Sequence, residues 1–328
     1  MIRPNAAVLA VVGLAMGLGM AGQPSSAQGF PNQPVRLVSP FPGGSGPDVA
    51  SRVVGERLGA AWKQPVLVDP RPGASGFIAA SAVKQAAPTG YDLLVADVGV
   101  LSVNPSLFKS LPYAPKTDFV PVGAFYSLSF FIVVGNNSPI HSVKDLIATA
   151  TSSPGKITYG SNAVGGPLHI GGAQVQALTG TQMVHVPYKD ISQLYVAVST
   201  GEVDWALASL GSAGPLLKAG KLRLVALADT PRSAFMPNVP TFEESGGPKG
   251  LSVRSWLALM APKGTPAAVV ATINQTLNEV LAQPEVAEKF AAFGFVPYPL
   301  APAALTSLIA SESTFYAEMV KRTGASPE

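Results

Sequence analysis

Three glycine-rich loops carry the clearest binding chemistry in this chain. The first is Pro40-Phe41-Pro42-Gly43-Gly44-Ser45-Gly46-Pro47-Asp48, and the second is Arg71-Pro72-Gly73-Ala74-Ser75-Gly76. The third is Ser161-Asn162-Ala163-Val164-Gly165-Gly166. Glycine lets the backbone approach a ligand closely and turn successive N–H groups toward it. A helix that follows adds its partial positive N-terminus, so such loops are ready anion sites. Pro47 suits the first turn of a helix, and Asp48 reads as a residue that caps or orients the loop. An ordinary strand-to-helix turn has the same composition and stands as the alternative. A phosphate-binding Walker loop is excluded, because no Gly-Lys-Ser/Thr follows. Arg71 either pairs with an anionic ligand or ties its own loop to a neighbouring acid.

Catalytic and metal chemistry find less support. His141, His169 and His185 lack close spacing, and the chain has no Cys, so a zinc site is not expected. No Gly-x-Ser-x-Gly elbow occurs that would give His169 a nucleophile to serve. A buried His169 that fixes the third loop is the simpler reading. Trp205 and Trp256 lie in apolar strands and read as core. No catalytic residue, metal or cofactor is expected.

Composition limits the partners. The 328 residues are 47% hydrophobic and 12% charged, with 33 Gly, 31 Pro and a net charge of +3. That excludes disorder and coiled coil, and no Lys/Arg cluster invites nucleic acid. Arg3, the uncharged run from Ala6 to Ala21, and Ser25-Ser26-Ala27 have the layout of a secretory signal with its cleavage site. Without Cys the exported product has neither disulfides nor a lipoprotein anchor. A soluble periplasmic protein beginning near Gln28 is expected.

The elements that must position the loops alternate. Apolar strands are expected at 35–39, 66–68 and 92–96, with helices between them, and again at 130–134, 157–159, 183–186, 203–207 and 224–228. Ser142 with Asp145 forms a capping box for a helix to 150, and three helices follow Pro266. Alternating strand and crossover helix predicts an α/β protein with parallel-rich sheets flanked by helices. Two such lobes form a cleft at the carboxyl ends of their strands, where the glycine loops lie.

The chain resembles the periplasmic Bug receptors of tripartite tricarboxylate transporters along essentially its whole mature length. The likeness is carried by Pro40-Phe41-Pro42 with Gly44 and Asp48, by Arg71-Pro72-Gly73-Ala74 with Gly76, and by Gly90-Tyr91, Asn104-Pro105 and Leu111-Pro112-Tyr113. His185-Val186-Pro187-Tyr188-Lys189, Gly220-Lys221-Leu222-Arg223, Val239-Pro240-Thr241 and Gly264-Thr265-Pro266 continue it. The resemblance implies a two-lobed type II binding protein of the Venus-flytrap kind, monomeric. Signal peptide 1–27 would precede one lobe formed by 28–129 with 254–328 and a second formed by 130–253. The chain would cross between them near 127–131 and 251–256.

The resemblance further implies a carboxylate held by the first two loops, with contacts from the second lobe. Phe41, Gly43, Gly44, Gly73, Ala74, Asn162, Gly165, His169, Tyr188 and Lys189 are the positions so marked. Asp97 and Asp190 stand near the inferred cleft as possible readers of a ligand donor. Asp190 is the favoured reader of the two, and both also suit a simple solvated or turn-capping role. The sequence departs from the family's usual residues at Gly43, Ser45, Ser75, Gly166, Asp190 and Gln193, which leaves the ligand open among dicarboxylates, tricarboxylates, acidic amino acids and aromatic acids. The implied partners are the large and small membrane subunits of the transporter. A periplasmic sensor would use the same lobes, and an enzyme on this scaffold lacks its catalytic group set. Intact mass of the exported protein is expected to begin near Gln28; a membrane-bound species retaining Met1 to Ala27 would overturn that processing.

Overall fold

Val35 and Leu37 flank the exposed Arg36, the alternation of a half-buried strand, and the computed structural model, which describes residues 29–325 apart from Ala163, forms it as β1 (Val35–Ser39). The expected signal segment lies outside the described residues. The chain continues through α1 (Gly46–Trp62), β2 (Val66–Pro70), α2 (Phe77–Lys84), β3 (Asp92–Asp97), α3 (Asn104–Leu107), α4 (Pro115–Asp118) and β4 (Phe119–Ser129). β5 (Phe131–Gly135), α5 (Val143–Ser152), β6 (Thr158–Ser161), α6 (Pro167–Thr179), β7 (Val184–Pro187), α7 (Ile191–Thr200), β8 (Trp205–Ala208), α8 (Leu210–Lys218) and β9 (Leu222–Leu227) follow. β10 (Arg254–Pro262), α9 (Ala267–Leu281), α10 (Pro284–Ala291), β11 (Val296–Pro297) and α11 (Pro302–Thr323) complete it.

Two sheets result, ordered β11-β4-β10-β3-β1-β2 and β7-β6-β8-β5-β9. β1 runs parallel to β2 and β3, and β6 runs parallel to β7 and β8. In each sheet the strand that follows a crossing runs antiparallel to both of its neighbours. β10 lies between β3 and β4, and β5 lies between β8 and β9. The α/β expectation holds. The apolar strand expected around Trp256 is β10. β4 is not among the expected strands, because its apolar run, buried by pairing partners far away in sequence, lacks a clear period-two pattern.

Helices cover both faces of each sheet. One core joins α1 and α9 to the first sheet through Val54, Leu58, Ile273 and Leu277, while α11 packs on the opposite face through Leu305 and Ile309. Trp205 and Trp256 are fully buried in different lobes, as core residues. Ser142 Oγ accepts the Asp145 N–H at 3.1 Å, and Asp145 accepts the His141 N–H at 3.0 Å, so the expected cap forms with a shifted reciprocal bond.

The two crossings between lobes lie side by side. The Phe130 N–H donates to Val253 O at 3.2 Å, and the Ala228 N–H donates to Phe130 O at 2.8 Å. Asp229, only 6% exposed, accepts Ser129 Oγ at 2.8 Å and Ser252 Oγ at 3.0 Å, one hydroxyl from each crossing. Arg254 approaches it at 3.6 Å. A buried acceptor that satisfies two hydroxyls costs about 1–3 kcal/mol to remove. Asp229→Ala is therefore expected to lower unfolding free energy by about that amount in a urea titration; an unchanged midpoint would show that the crossings do not depend on this carboxylate.

Candidate functional site

The first loop is held from below. Asp48 is 1% exposed, and its carboxylate accepts the Gly44 N–H at 2.8 Å and Arg52 Nε at 2.9 Å. Gly44 has φ of +81°, a left-handed conformation that favours glycine. Asp48 thus orients the loop, as its position predicted. Gly44 contributes the turn rather than a free donor, because Asp48 already takes its N–H.

The second loop runs against the usual backbone preference. Gly73, Ala74, Ser75 and Gly76 have φ of +116°, +45°, +50° and +89°. Each non-glycine residue so placed costs about 1–2 kcal/mol. Asn104, buried at 5%, offsets this by donating Nδ2–H to Ser75 O at 2.9 Å and to the Tyr113 hydroxyl at 3.0 Å. Arg71 pairs with Asp69 at 3.0 Å and ties the loop to its own strand. Among the described residues, no intramolecular partner takes the N–H of Gly43, Gly73 or Ala74.

The third loop rests on two histidines. The Gly165 N–H donates to His169 Nδ1 at 2.8 Å, and the His169 and His185 rings stack with centroids 3.9 Å apart. Ser161 Oγ meets His185 Nε2 at 2.7 Å. Burial depresses both imidazoles, and the neighbouring His169 helps take His185 down to about 4. A Ser–His contact suggests a nucleophile and base, but Ser161 is fully buried and a base this weak is poorly matched to neutral pH. The pair supports the loop.

Loops from both lobes face one cleft with two chambers. The first, about 430 Å³, is lined by Phe41, Gly73, Gly76, Asp97 and Asn104 from one lobe and by Val164 and Gly166 from the other. The second, about 290 Å³, adjoins it at Phe41 and Asp97 and is walled by Tyr126, Phe130, Phe293, Phe295, Ser209 and Ser212. A larger groove of about 650 Å³ beside α11 contains none of the three loops. Three helices begin at the chamber walls: α1 at Gly46, α6 at Gly166 and α8 at Ser209. Each directs its partial positive end at the cleft.

Asp97 sits where the chambers join. A π-type turn, Gly99–Val103, follows β3, and Asp97 Oδ1 accepts the Val100 N–H at 3.0 Å. Burial pushes the carboxyl pKa up, against the lowering effect of the Val100 and Gly99 backbone donors.

The cleft thus gathers Phe41, Gly73 and Asp97, with Gly43, Gly44, Ala74, Asn162 and Gly165 in the loops that border it. Four other expected residues are not on its walls. His169 lies behind the third loop, and the Tyr188 hydroxyl donates to Glu202 at 3.3 Å. Lys189 is exposed. Asp190 caps α7 by accepting the Ser192 and Gln193 N–H groups at 2.8 and 3.1 Å, its turn-capping role. Sequence reasoning missed Asn104, Tyr126, Phe293 and Phe295, which line the chambers. Asn104-Pro105 was visible as a motif, whereas the Phe293-Gly294-Phe295 wall had no local signal.

The model of the tripartite tricarboxylate transporter family receptor matches residues 50–325. The chain belongs to that receptor family. It is 33% identical over 319 residues to protein BugT of Bordetella pertussis, covering 97% of this chain and 98% of BugT. Among solved structures, the receptor superposes on R. palustris Rpa4515 with adipate at a TM-score of 0.80 and 29% identity, covering 91% of this chain and all of that one. MatC from Rhodopseudomonas palustris with bound malate gives 0.74 and 27%, over 89% of the receptor and all of MatC. The two-lobed type II fold is shared.

The stacked histidines give the receptor a pH signature. An imidazole whose folded pKa is near 4, against an ordinary 6.5, binds fewer protons when folded than unfolded. Its stabilisation is complete above about 6.5 and is lost as pH falls toward 4. His185→Gln is expected to flatten the fall in Tm between pH 7 and 5; parallel curves for variant and parent would refute the assignment.

Proposed function

We propose that the chain is an exported, soluble periplasmic receptor that holds a small carboxylate between its lobes and presents it to the large and small membrane subunits of a tripartite tricarboxylate transporter. The observation that carries this is the cleft itself. Gly73 lines it with an N–H that has no intramolecular partner among the described residues, Gly43 and Ala74 are likewise unpaired in the bordering loops, and three helix starts line the same space. Such donors hold a carboxylate without a fixed cation. The family assignment agrees, as do the solved relatives bearing adipate and malate.

The lobes proposed are 28–129 with 254–328 and 130–253, hinged at the paired crossings. Phe41, Gly43, Gly73 and Ala74 are the proposed carboxylate contacts, with Asn162 and Gly165 completing the site from the other lobe. Capture without turnover fits a site whose one Ser–His pair is buried behind a loop.

The protein, unfolded and refolded to remove carried ligand, is to be heated with a panel of adipate, malate, citrate and 3-phenylpropionate. A bound acid at about 100 times its Kd stabilises by roughly 2.7 kcal/mol, a clear rise in Tm. Gly73→Val, which places a branched side chain at a φ of +116°, is expected to abolish the rise while the protein stays folded by circular dichroism. If no carboxylate raises Tm, or Gly73→Val keeps the full rise, the site assignment falls.

A further inference from the structure

The walls of the cleft carry an unusual charge balance for a site that takes an anion. Among the described residues lining either chamber there is no Lys, Arg or His, and the one side chain with a formal charge is Asp97. Arg71 is turned onto Asp69, and Arg52 onto Asp48. One ligand carboxylate can be met by the loop N–H groups and helix starts. A second would enter a partly desolvated space facing Asp97 with no cation to pair with, an arrangement that costs affinity.

The second chamber is built for a different surface. Phe41, Tyr126, Leu128, Phe130, Phe293 and Phe295 supply its large apolar side chains. Tyr126 and Phe295 are stacked at 3.9 Å, and Phe293 stacks on Phe295 at 5.5 Å, so these rings brace one another. Across it, a Cβ on Gly211 would sit 2.9 Å from Phe293 O, so the second lobe closes against this wall directly. The space, about 290 Å³, admits one ring or a bulk of similar size. Asp97 stands at the mouth between the rings and the donor loops, with no ion-pair partner among the described residues and with oxygen lone pairs left beyond those met by its own turn's backbone donors, the Val100 N–H among them.

We propose that the ligand is a monocarboxylate with an aromatic or equally bulky apolar body and a cationic or N–H donor beside the carboxylate, and that this donor meets Asp97. The carboxylate lies on the first two loops, the body fills the ring-walled chamber, and Asp97 selects against a second negative charge. The assignment rests on the carboxylate-receptor reading and narrows it to one ligand class. Asp97 acts here as a specificity residue, since the loops hold the carboxylate without it.

Three acids that share one body and differ at one position separate these features. 3-Phenylpropionate carries hydrogen at the carbon next to the carboxylate, phenylalanine carries an ammonium, and benzylmalonate carries a second carboxylate. Titration calorimetry on the refolded protein is expected to rank phenylalanine tightest. 3-Phenylpropionate should follow about tenfold weaker, and benzylmalonate weaker again. Malate, small and doubly charged, should bind more weakly than any acid with the ring. Asp97→Asn, which keeps an acceptor for the Val100 N–H, should bring phenylalanine and 3-phenylpropionate to within about threefold and improve benzylmalonate. Should that variant misfold, the ranking on the parent protein decides alone. Equal binding of phenylalanine and 3-phenylpropionate, or benzylmalonate or malate binding as tightly as phenylalanine, overturns the inference and leaves a carboxylate receptor. A response to adipate or citrate with none to the ring acids does the same. Silence from every acid removes the receptor reading with it.

Discussion

The binding edge of the cleft depends on four consecutive residues holding positive φ. Gly73, Ala74, Ser75 and Gly76 turn the second loop at the wall of the first chamber, leaving the Gly73 and Ala74 N–H groups without intramolecular partners among the described residues, and two of the four are residues that resist the conformation. A Cβ at Gly76 would lie 2.6 Å from the Val100 side chain, so that position accepts only glycine without displacement. The strained turn survives because Asn104 grips Ser75 O from the core. Asn104 is placed in turn by α3 and the π-type turn before it, and Tyr113 closes the network by donating to Val100 O at 2.8 Å. Strain at the ligand edge and a saturated polar network beneath it are two sides of one arrangement.

The same economy shapes the electrostatics. Four helical starts approach the cleft, and one, the turn after β3, is already neutralised by Asp97 from within. Three remain to favour an external anion. An arginine in the site would bind more tightly and accept more acids, because a fixed cation offsets charge wherever it falls. Backbone donors with an opposing carboxylate discriminate instead by charge count and by position.

Much of this was legible in the sequence. The glycine loops, the alternating strands, the loop-orienting role of Asp48 and the self-pairing of Arg71 follow from local chemistry, and the ordered motifs of the family extend over the chain. What could not be read is long-range. β10 is an apolar run whose identity as an antiparallel insertion comes from its partners β3 and β4. Phe293 and Phe295 reach the site from the C-terminal part of the chain only because β11 pairs with β4 at Ser127 and Tyr126. His169 and Asp190 had the right residue types in the right neighbourhood. Their polar atoms are taken by the Gly165 N–H and by the start of α7, and those local bonds decided their roles.

The strands β5 and β10 bear directly on how the proposed site would be coupled to the arrangement of the lobes. β5 follows the first crossing and β10 the second, so each crossing feeds directly into the interior of the sheet it enters rather than into a loose edge. The crossings are bonded to one another through Phe130, Ala228 and Val253, and Asp229 joins a serine from each. A hinge made this way resists shear between the lobes while leaving rotation to a few backbone angles. Tyr126 and Leu128, on the strand that leads into the first crossing, are also walls of the second chamber. Ser255, just after the second crossing, lines the same chamber. A ligand body seated there would touch both strands of the proposed hinge at once, so the contacts proposed to recognise it would also be contacts that hold the lobes together.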